Sequence, residues 1–426
     1  MRAKSRRNRT RFPIVIVGVA LCVWGVWTST LEGLAHRNAG RALFNDSTDD
    51  ANRAVAFGST VPEAHYARAI VLERAGSAGA LQEFDQAVAL RPNDYALWLE
   101  LGRARDGAGD TPGAIAAFSE SVRLAPFYAR PRWQLGNALF RSGRMAEAFK
   151  ELRLAVESNP KLTLQALALI WTALNGNVAE VELVLAPLSP AIETALARFL
   201  IKQGKFADAM RHFRAAGGIS IDEQRAMASD LIAARNFDAA YEVWATGREK
   251  AAASGLIDNG GFEEPIALDQ TGFGWQLAQN QQGIQVALDP SERRSGSYSL
   301  RVDWSGNADS LLAIASQLVL VEPGSRYQLK FSARGADLVM LGLPSVSVID
   351  PNDASAAGDY RQAAIARSTA LPKGTGDWQN YQVDFATPAS TRAVIVRIHR
   401  ESCTIQPCPA FGHTWFDEFS LSKIPQ

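Results

Sequence analysis

The chain is short of the side chains that do covalent or metal chemistry. Its 426 residues include only 3 cysteines and 5 histidines. The histidines stand at 36, 65, 212, 399 and 413, too dispersed for a triad or a metal cluster. There is no nucleophile elbow, no HExxH motif and no phosphate loop. Net charge is lacking too: 44 Lys and Arg balance 44 Asp and Glu. Such a balance leaves no electrostatic footprint for nucleic acid, so no nucleic-acid partner is expected. A glycosidase needs two carboxylates at a set separation. The adjacent pairs Glu263–Glu264 and Asp417–Glu418 lie in strand-like text, where neighbours face opposite ways and cannot share a site. The chain reads as non-catalytic.

The charge that is present is unevenly placed. Arg2, Lys4, Arg6, Arg7, Arg9 and Arg11 crowd the first 12 residues with no acidic neighbour. An uncharged run, FPIVIVGVALCVWGVWTSTL, follows from Phe12 to Leu31. About 20 apolar residues cross a bilayer as a helix, and the Arg-rich flank stays cytoplasmic. The expected layout is a basic cytoplasmic tail at 1–11, a single transmembrane helix at 12–31 in the inner (cell) membrane, and the remainder extracytoplasmic. A cleaved signal peptide is the rival reading. The length of the run, the bulk of Trp24 and Trp27 and the lack of a small-x-small site count against it. Ser5-Arg6-Arg7 is followed by residues that do not fit a twin-arginine signal. Cys22, inside the run, is read as an inert small hydrophobe.

Three segments repeat one spacing at 34-residue intervals. They are Ala80, Phe84, Ala87, Pro92; Ala114, Phe118, Ser121, Pro126; and Ala148, Leu152, Ala155, Pro160. A second apolar run precedes each: Ala64, Ala67, Val71; Trp98, Leu101, Gly102, Arg105; Trp133, Leu135, Gly136, Leu139. Small residues let helices approach, bulky ones wedge between units, and proline ends the second helix. The pattern resembles the tetratricopeptide repeat, a helix–turn–helix unit. The clear repeats are 61–94, 95–128 and 129–162. Looser units run on to Phe237-Asp238-Ala239-Ala240, giving about six or seven helix pairs over 32–250. The resemblance implies a solenoid that binds a protein partner. Arg68, Arg103, Arg105, Arg132 and Asn137 recur on the first helices as candidate peptide contacts, with ordinary solvated residues as the alternative.

A joint at 251–255 separates this text from β-branched, Gly-, Asn- and Asp-rich sequence at 256–426. Period-2 alternation predicts strands at Tyr298–Trp304, Tyr327–Ala333, Val346–Ile349, Tyr381–Phe385, Ala393–His399 and Trp415–Leu421, hence an antiparallel β-sandwich. The domain opens with Leu256-Ile257-Asp258-Asn259-Gly260-Gly261-Phe262-Glu263. It continues through Gly274-Trp275, Ser295 to Val302, Val321 to Ala333 and Trp378 to Phe385, and closes on Trp415 to Leu421. This order resembles carbohydrate-binding modules of the galactose-binding-like jelly-roll class. The resemblance implies that Glu263 and Asp417 hold a structural calcium; the alternative is two hydrogen-bonded carboxylates without metal.

Saccharide binding needs exposed aromatic faces and polar fork residues. Tyr298, Tyr327, Tyr381, Trp275, Trp378 and Trp415 are assigned to the core. Trp304, beside Ser305-Gly306-Asn307, and Tyr360, in a polar loop, are the expected platforms, with Arg397, His399, Arg400 and Glu401 as polar contacts and a solvated strand edge as the alternative reading of those four. Beyond an oxidising boundary Cys403 and Cys408 are expected to pair, with two free thiols as the alternative; zinc would need two more ligands.

The expected fold is multidomain, α then β: a transmembrane helix, a tetratricopeptide solenoid and a C-terminal jelly roll. The expected function is a non-enzymatic membrane-anchored scaffold that docks a protein through its repeats and a polysaccharide through its jelly roll, in exopolysaccharide or O-antigen assembly. The alternatives are a protein-assembly factor whose jelly roll binds no sugar, and a glycan-acting hydrolase subunit with an unrecognised active site.

Overall fold

A computed structural model describes residues 11–77, 79–248, 257–266, 272–278, 281–307, 312–353, 363–403 and 408–425. The joint at 251–255 lies outside them. By packing, the described chain divides into two compact units, 1–195 and 196–426.

The first unit starts with α1 (Arg11–Asn45), one unbroken helix with two characters. Val15, Val19, Trp24 and Trp27 are each more than half exposed, and the stretch is long and apolar enough to cross a membrane. Further along the same helix Ala35, Ala39 and Ala42 are buried against Ala51 and Ala54 of α2 (Thr48–Phe57) and Ala64 and Ala67 of α3 (Pro62–Arg74). The apolar segment expected at 12–31 is therefore the front of a longer helix whose end builds the first helix pair.

Helix pairs follow: α3 with α4 (Ala80–Leu90), α5 (Tyr95–Gly107) with α6 (Thr111–Leu124), α7 (Ala129–Arg141) with α8 (Met145–Ser158), and α9 (Thr163–Ala173) with α10 (Val178–Leu185). Asp94 and Asp110 cap α5 and α6 by accepting from the amides of Ala96 and Gly113. The 34-residue pattern becomes packing at equivalent positions. A Cβ on Gly102 would lie 2.5 Å from Phe118 Cδ1; one repeat later, a Cβ on Gly136 would lie 2.9 Å from Leu152 Cγ. Ser121, standing where the other repeats have alanine, is buried and donates its hydroxyl to Tyr95 O at 2.8 Å. α11 (Pro190–Lys202) crosses the boundary between the units.

The second unit holds α12 (Phe206–Ala215), α13 (Ile221–Ala233) and α14 (Phe237–Ala245), then, among the described residues, ten strands. The strands form two five-stranded antiparallel sheets, β1-β4-β9-β6-β7 and β2-β3-β10-β5-β8. Their ranges are β1 276–277, β2 284–289, β3 299–307, β4 315–320, β5 326–340, β6 344–349, β7 364–367, β8 379–386, β9 393–400 and β10 409–424. Alternation fills the space between the sheets: Tyr327, Leu329 and Phe331 of β5, Tyr381, Val383 and Phe385 of β8, and Val394, Val396 and Ile398 of β9 all belong to one core. Trp275, Tyr327, Tyr381 and Trp415 are buried as expected, whereas Trp378 is half-buried and Tyr298 is 37% exposed.

The close approach at Gly102 makes a prediction whose sign opposes helix propensity. Gly→Ala in a free helix stabilises by roughly 0.5–1 kcal/mol. Here Gly102→Ala overpacks Phe118 and is expected to destabilise by about 1–3 kcal/mol in urea unfolding. Phe118→Leu in that background, copying the Gly136–Leu152 pair, is expected to recover part of the loss; a stabilised Gly102→Ala would contradict the packing account.

Candidate functional site

The outer face of the β1-β4-β9-β6-β7 sheet carries a depression in the second unit. Register aligns Gln276, Ser316, Arg397, Ser347 and Arg367 across the five strands. Residues alternate through a strand, so these side chains face away from Val394, Val396 and Ile398. The next row holds Leu318 and Ile395. Helices α13 and α14 lie against this face. Phe273, just before β1, packs its ring against Tyr241 at 5.2 Å and Trp244 at 5.6 Å. Arg235, in the turn between the helices, donates from Nη1 to Asn352 O at 2.5 Å, and Asp238 meets Arg392 at 3.4 Å. A cavity of about 620 Å³ remains between helices and sheet. Ser229, Ile232, Ala233, Arg235 and Phe237 form its helical wall; Gly272, Gln276, Ser316, Leu318, Pro351, Ile395 and Arg397 form its sheet wall.

Of the expected saccharide contacts, Arg397 lines this cavity. Trp304 requires a correction. It is 3% exposed, belongs to the core with Leu300 and Val302, and donates Nε1–H to Thr414 Oγ1 at 3.2 Å, so its ring offers no open stacking face. His399 requires another, because it is fully buried. Its Nδ1 lies 3.1 Å from Arg400 O, an acceptor, so Nδ1 carries the proton. Nε2 then accepts from the Ser347 hydroxyl at 2.7 Å. Burial lowers the His399 pKa and keeps the ring neutral, a cross-strand tie between β9 and β6. Arg400 is also fully buried, donating to Cys408 O at 3.1 Å and Gly342 O at 3.4 Å. Tyr360 lies outside the described residues. Cys403 and Cys408 are joined in a disulfide with Cα atoms 6.0 Å apart.

The repeat residues do not converge on one site. Arg68 of α3 reaches Glu83 of α4 at 3.5 Å, and Arg132 of α7 reaches Glu151 of α8 at 2.6 Å. Arg105 of α5 pairs with Asp85 of α4 at 2.8 Å, while Arg103 pairs with Glu100 on its own helix at 2.5 Å. Two residues apart is about 200° around a helix, so Arg103 and Arg105 serve different faces. Asn137 donates back to Trp133 O at 2.7 Å.

Glu263 and Asp417 converge on one turn, residues 293–298. Glu263 accepts from the Ser297 amide at 2.9 and 2.8 Å; Asp417 Oδ2 accepts from Arg294 N at 3.0 Å and Ser295 N at 3.1 Å. The turn must pass so close that a Cβ on Gly296 would lie 2.0 Å from Glu263 Oε1, and Gly296 takes φ +61°. Asn259, Phe262 and Glu418 also have positive φ, so backbone strain gathers at this clasp. Burial raises the Asp417 pKa against the pull of the Ser295, Glu418 and Arg294 amides, and the charge of Glu418 raises it further. The clasp thus suits a hard cation in charge. It supplies few side-chain ligands, since the described residues contain no group of three or more metal-ligating side chains; calcium's remaining oxygens would come from backbone carbonyls and water.

With this geometry in hand, the family comparisons are decisive for module type. Residues 254–407 match the family described as carbohydrate binding domain, and residues 77–129 and 99–162 match the tetratricopeptide repeat. The chain joins tetratricopeptide repeats to a carbohydrate binding domain. Among solved structures, MamA 41-end from Desulfovibrio magneticus is similar at 18% identity, over 44% of this chain and 93% of that one, with a TM-score of 0.30. Pseudomonas aeruginosa pilF is similar at 14% identity, over 51% and 90%, with a TM-score of 0.31. The CBM22-1 xylan-binding domain from Paenibacillus barcinonensis Xyn10C is similar at 15% identity, over 41% and 99%, with a TM-score of 0.27. No curated protein matches the chain.

The cavity residues that sequence reasoning missed are Gln276 and Ser316 of the carbohydrate binding domain and Arg235 of the preceding helices. β4 is buried at five of its six positions and shows no alternation to read. Arg235 sits in an Ala-Arg-Asn turn whose sequence carries no sign of what packs on it.

Proposed function

We propose that this chain is a non-catalytic, membrane-anchored adaptor whose carbohydrate binding domain takes a saccharide in the cavity between α13–α14 and the β1-β4-β9 part of the sheet. The repeats dock a protein. The front of α1 spans the cell membrane once, with the basic tail cytoplasmic and both modules extracytoplasmic. Support for an anchor over a signal sequence comes from continuity: α1 runs without an extended stretch into Ala35, Ala39 and Ala42, which are core residues of the first helix pair. A protein that docks a partner and holds a saccharide outside the membrane suits exopolysaccharide or O-antigen assembly.

The observation that carries the saccharide reading is the cavity itself. Its volume falls in the roughly 300–1,000 Å³ range of small-ligand sites, and Gln276, Ser316 and Arg397 supply polar groups beside apolar Leu318 and Ile395. Catalysis finds no support there: the Ser347 hydroxyl beside His399 is fully buried, out of reach of a substrate. On a saccharide array the detergent-solubilised chain is expected to retain ligands, and Ser316→Trp, which puts an indole into the cavity, is expected to weaken them by about tenfold or more (about 1.4 kcal/mol). A blank array, or an unchanged Ser316→Trp, refutes this reading in favour of an assembly factor that docks protein alone.

Calcium belongs to the same proposal as a structural ion at the Glu263–Asp417 clasp, where it would offset the buried charge of Asp417. Calcium added to chelator-treated protein is expected to raise the melting temperature, and Asp417→Asn is expected to abolish that response. An identical melting temperature with calcium and with chelator would leave the amide clasp as the whole account.

A further inference from the structure

We infer that one edge of the repeat array rests on the bilayer and that Phe127 and Tyr128 enter its headgroup layer; this rests on α1 spanning the membrane. The height of that edge is set by where α1 joins the repeat packing. The uncharged run ends at Leu31, and Glu32 follows. Ala35, four residues past Leu31 and so about 6 Å along the helix axis, is already fully buried in the first helix pair. A Cβ on Gly58 would lie 2.7 Å from Ala35 Cβ, so the turn at 58–61 between α2 and α3 stands at the same height. A headgroup layer is roughly 5–8 Å thick on each side of the hydrocarbon core. That turn therefore meets the bilayer surface.

The edge can be followed from repeat to repeat. Helices α3, α5 and α7 start at 62, 95 and 129, directly after the turns at 58–61, 91–94 and 125–128. Arg91, in the second turn, meets Glu63 at the start of α3 at 2.6 Å. Tyr95, opening α5, stacks on Tyr128, the last residue of the third turn, with ring centroids 5.1 Å apart. The three turns are thus joined along one edge. Phe127 is 86% exposed there and Tyr128 58% exposed. Aromatic rings collect at the membrane–water interface, where an apolar body and a polar tip both find a match. Phe44 shows that exposure alone does not select a residue for lipid. It is 90% exposed, but it lies thirteen residues past Leu31, about 20 Å along α1 and beyond the headgroups, at the opposite edge. With α1 as one attachment and the Phe127 turn as a second, a partner docked on the repeats is held at the membrane surface.

The test places a polarity-sensitive fluorophore at single cysteines of the full chain, reconstituted in phosphatidylethanolamine–phosphatidylglycerol vesicles. Phe127→Cys, Phe44→Cys and Trp24→Cys are made in a Cys22→Ser background, because Cys403 and Cys408 are bonded to each other. Lipids carrying a doxyl group near the headgroup are expected to quench the label at 127, with its emission shifted to the blue of the label at 44. The label at 44 is expected to escape lipid quenching and to be quenched by iodide in the water. The label at 24 is expected to be quenched by doxyl groups deep in the acyl chains. Quenching at 24 with none at 127 overturns the inference, leaves the anchor standing and assigns Phe127 to a protein partner. Equal lipid quenching at 127 and 44 also overturns it, since the edge then makes no difference. No quenching at 24 overturns it together with the anchor it rests on.

Discussion

The sheet face that carries Leu318 and Ile395 must be covered there, and in this chain helices of the repeat type do the covering. Phe273 is the pin. It inserts between Tyr241 and Trp244 of α14, with ring centroids 5.2 and 5.6 Å away, and is itself 2% exposed. Aromatic pairs in such tilted and edge-on arrangements add about 0.5–1.5 kcal/mol each beyond the area they bury. The exposed Arg392–Asp238 pair adds little by comparison. Covering is incomplete, and the space left over is the cavity. Fold and candidate site therefore share one cause: a helix pair packed on a sheet whose polar middle row, Gln276, Ser316 and Arg397, cannot be sealed without burying a charge.

Much of this architecture is legible in the sequence because it repeats or alternates. The 34-residue spacing places Gly102 against Phe118 and Gly136 against Leu152, and those contacts are the solenoid's packing rule. β5 and β8 are readable for the same reason, since their inner positions alternate with more exposed ones, whereas β6, buried throughout, is readable only from its β-branched residues. β4 is not readable, because one of its faces meets the sandwich core and the other meets helices, so alternation vanishes. The end of β3 misleads in another way. Ser305-Gly306-Asn307 looks like a turn, yet these residues pair with Pro409, Ala410 and Phe411 of β10, and the strand continues. The parity that Trp304 shares with Leu300 and Val302 was the readable sign of its burial. For His399 no such sign exists: it shares the outward parity of Arg397, and what covers it comes from residues distant in sequence.

The two binding modules reach their surfaces differently. In the repeats the arginines brace neighbouring helices through Glu83, Asp85 and Glu151, so charge there is already committed to structure. In the carbohydrate binding domain, Glu263 and Asp417 are held at the clasp and Arg400 is buried against Cys408 O, while Arg235 and Arg397 line a cavity.

The central claim is that α13 and α14 are held by the sandwich through Phe273. Amide hydrogen exchange of Phe273→Ala tests it most directly. The account predicts that amides of α13, α14 and β4 lose protection together while those of α5 to α8 keep theirs. Unchanged protection in α13 and α14 would contradict it.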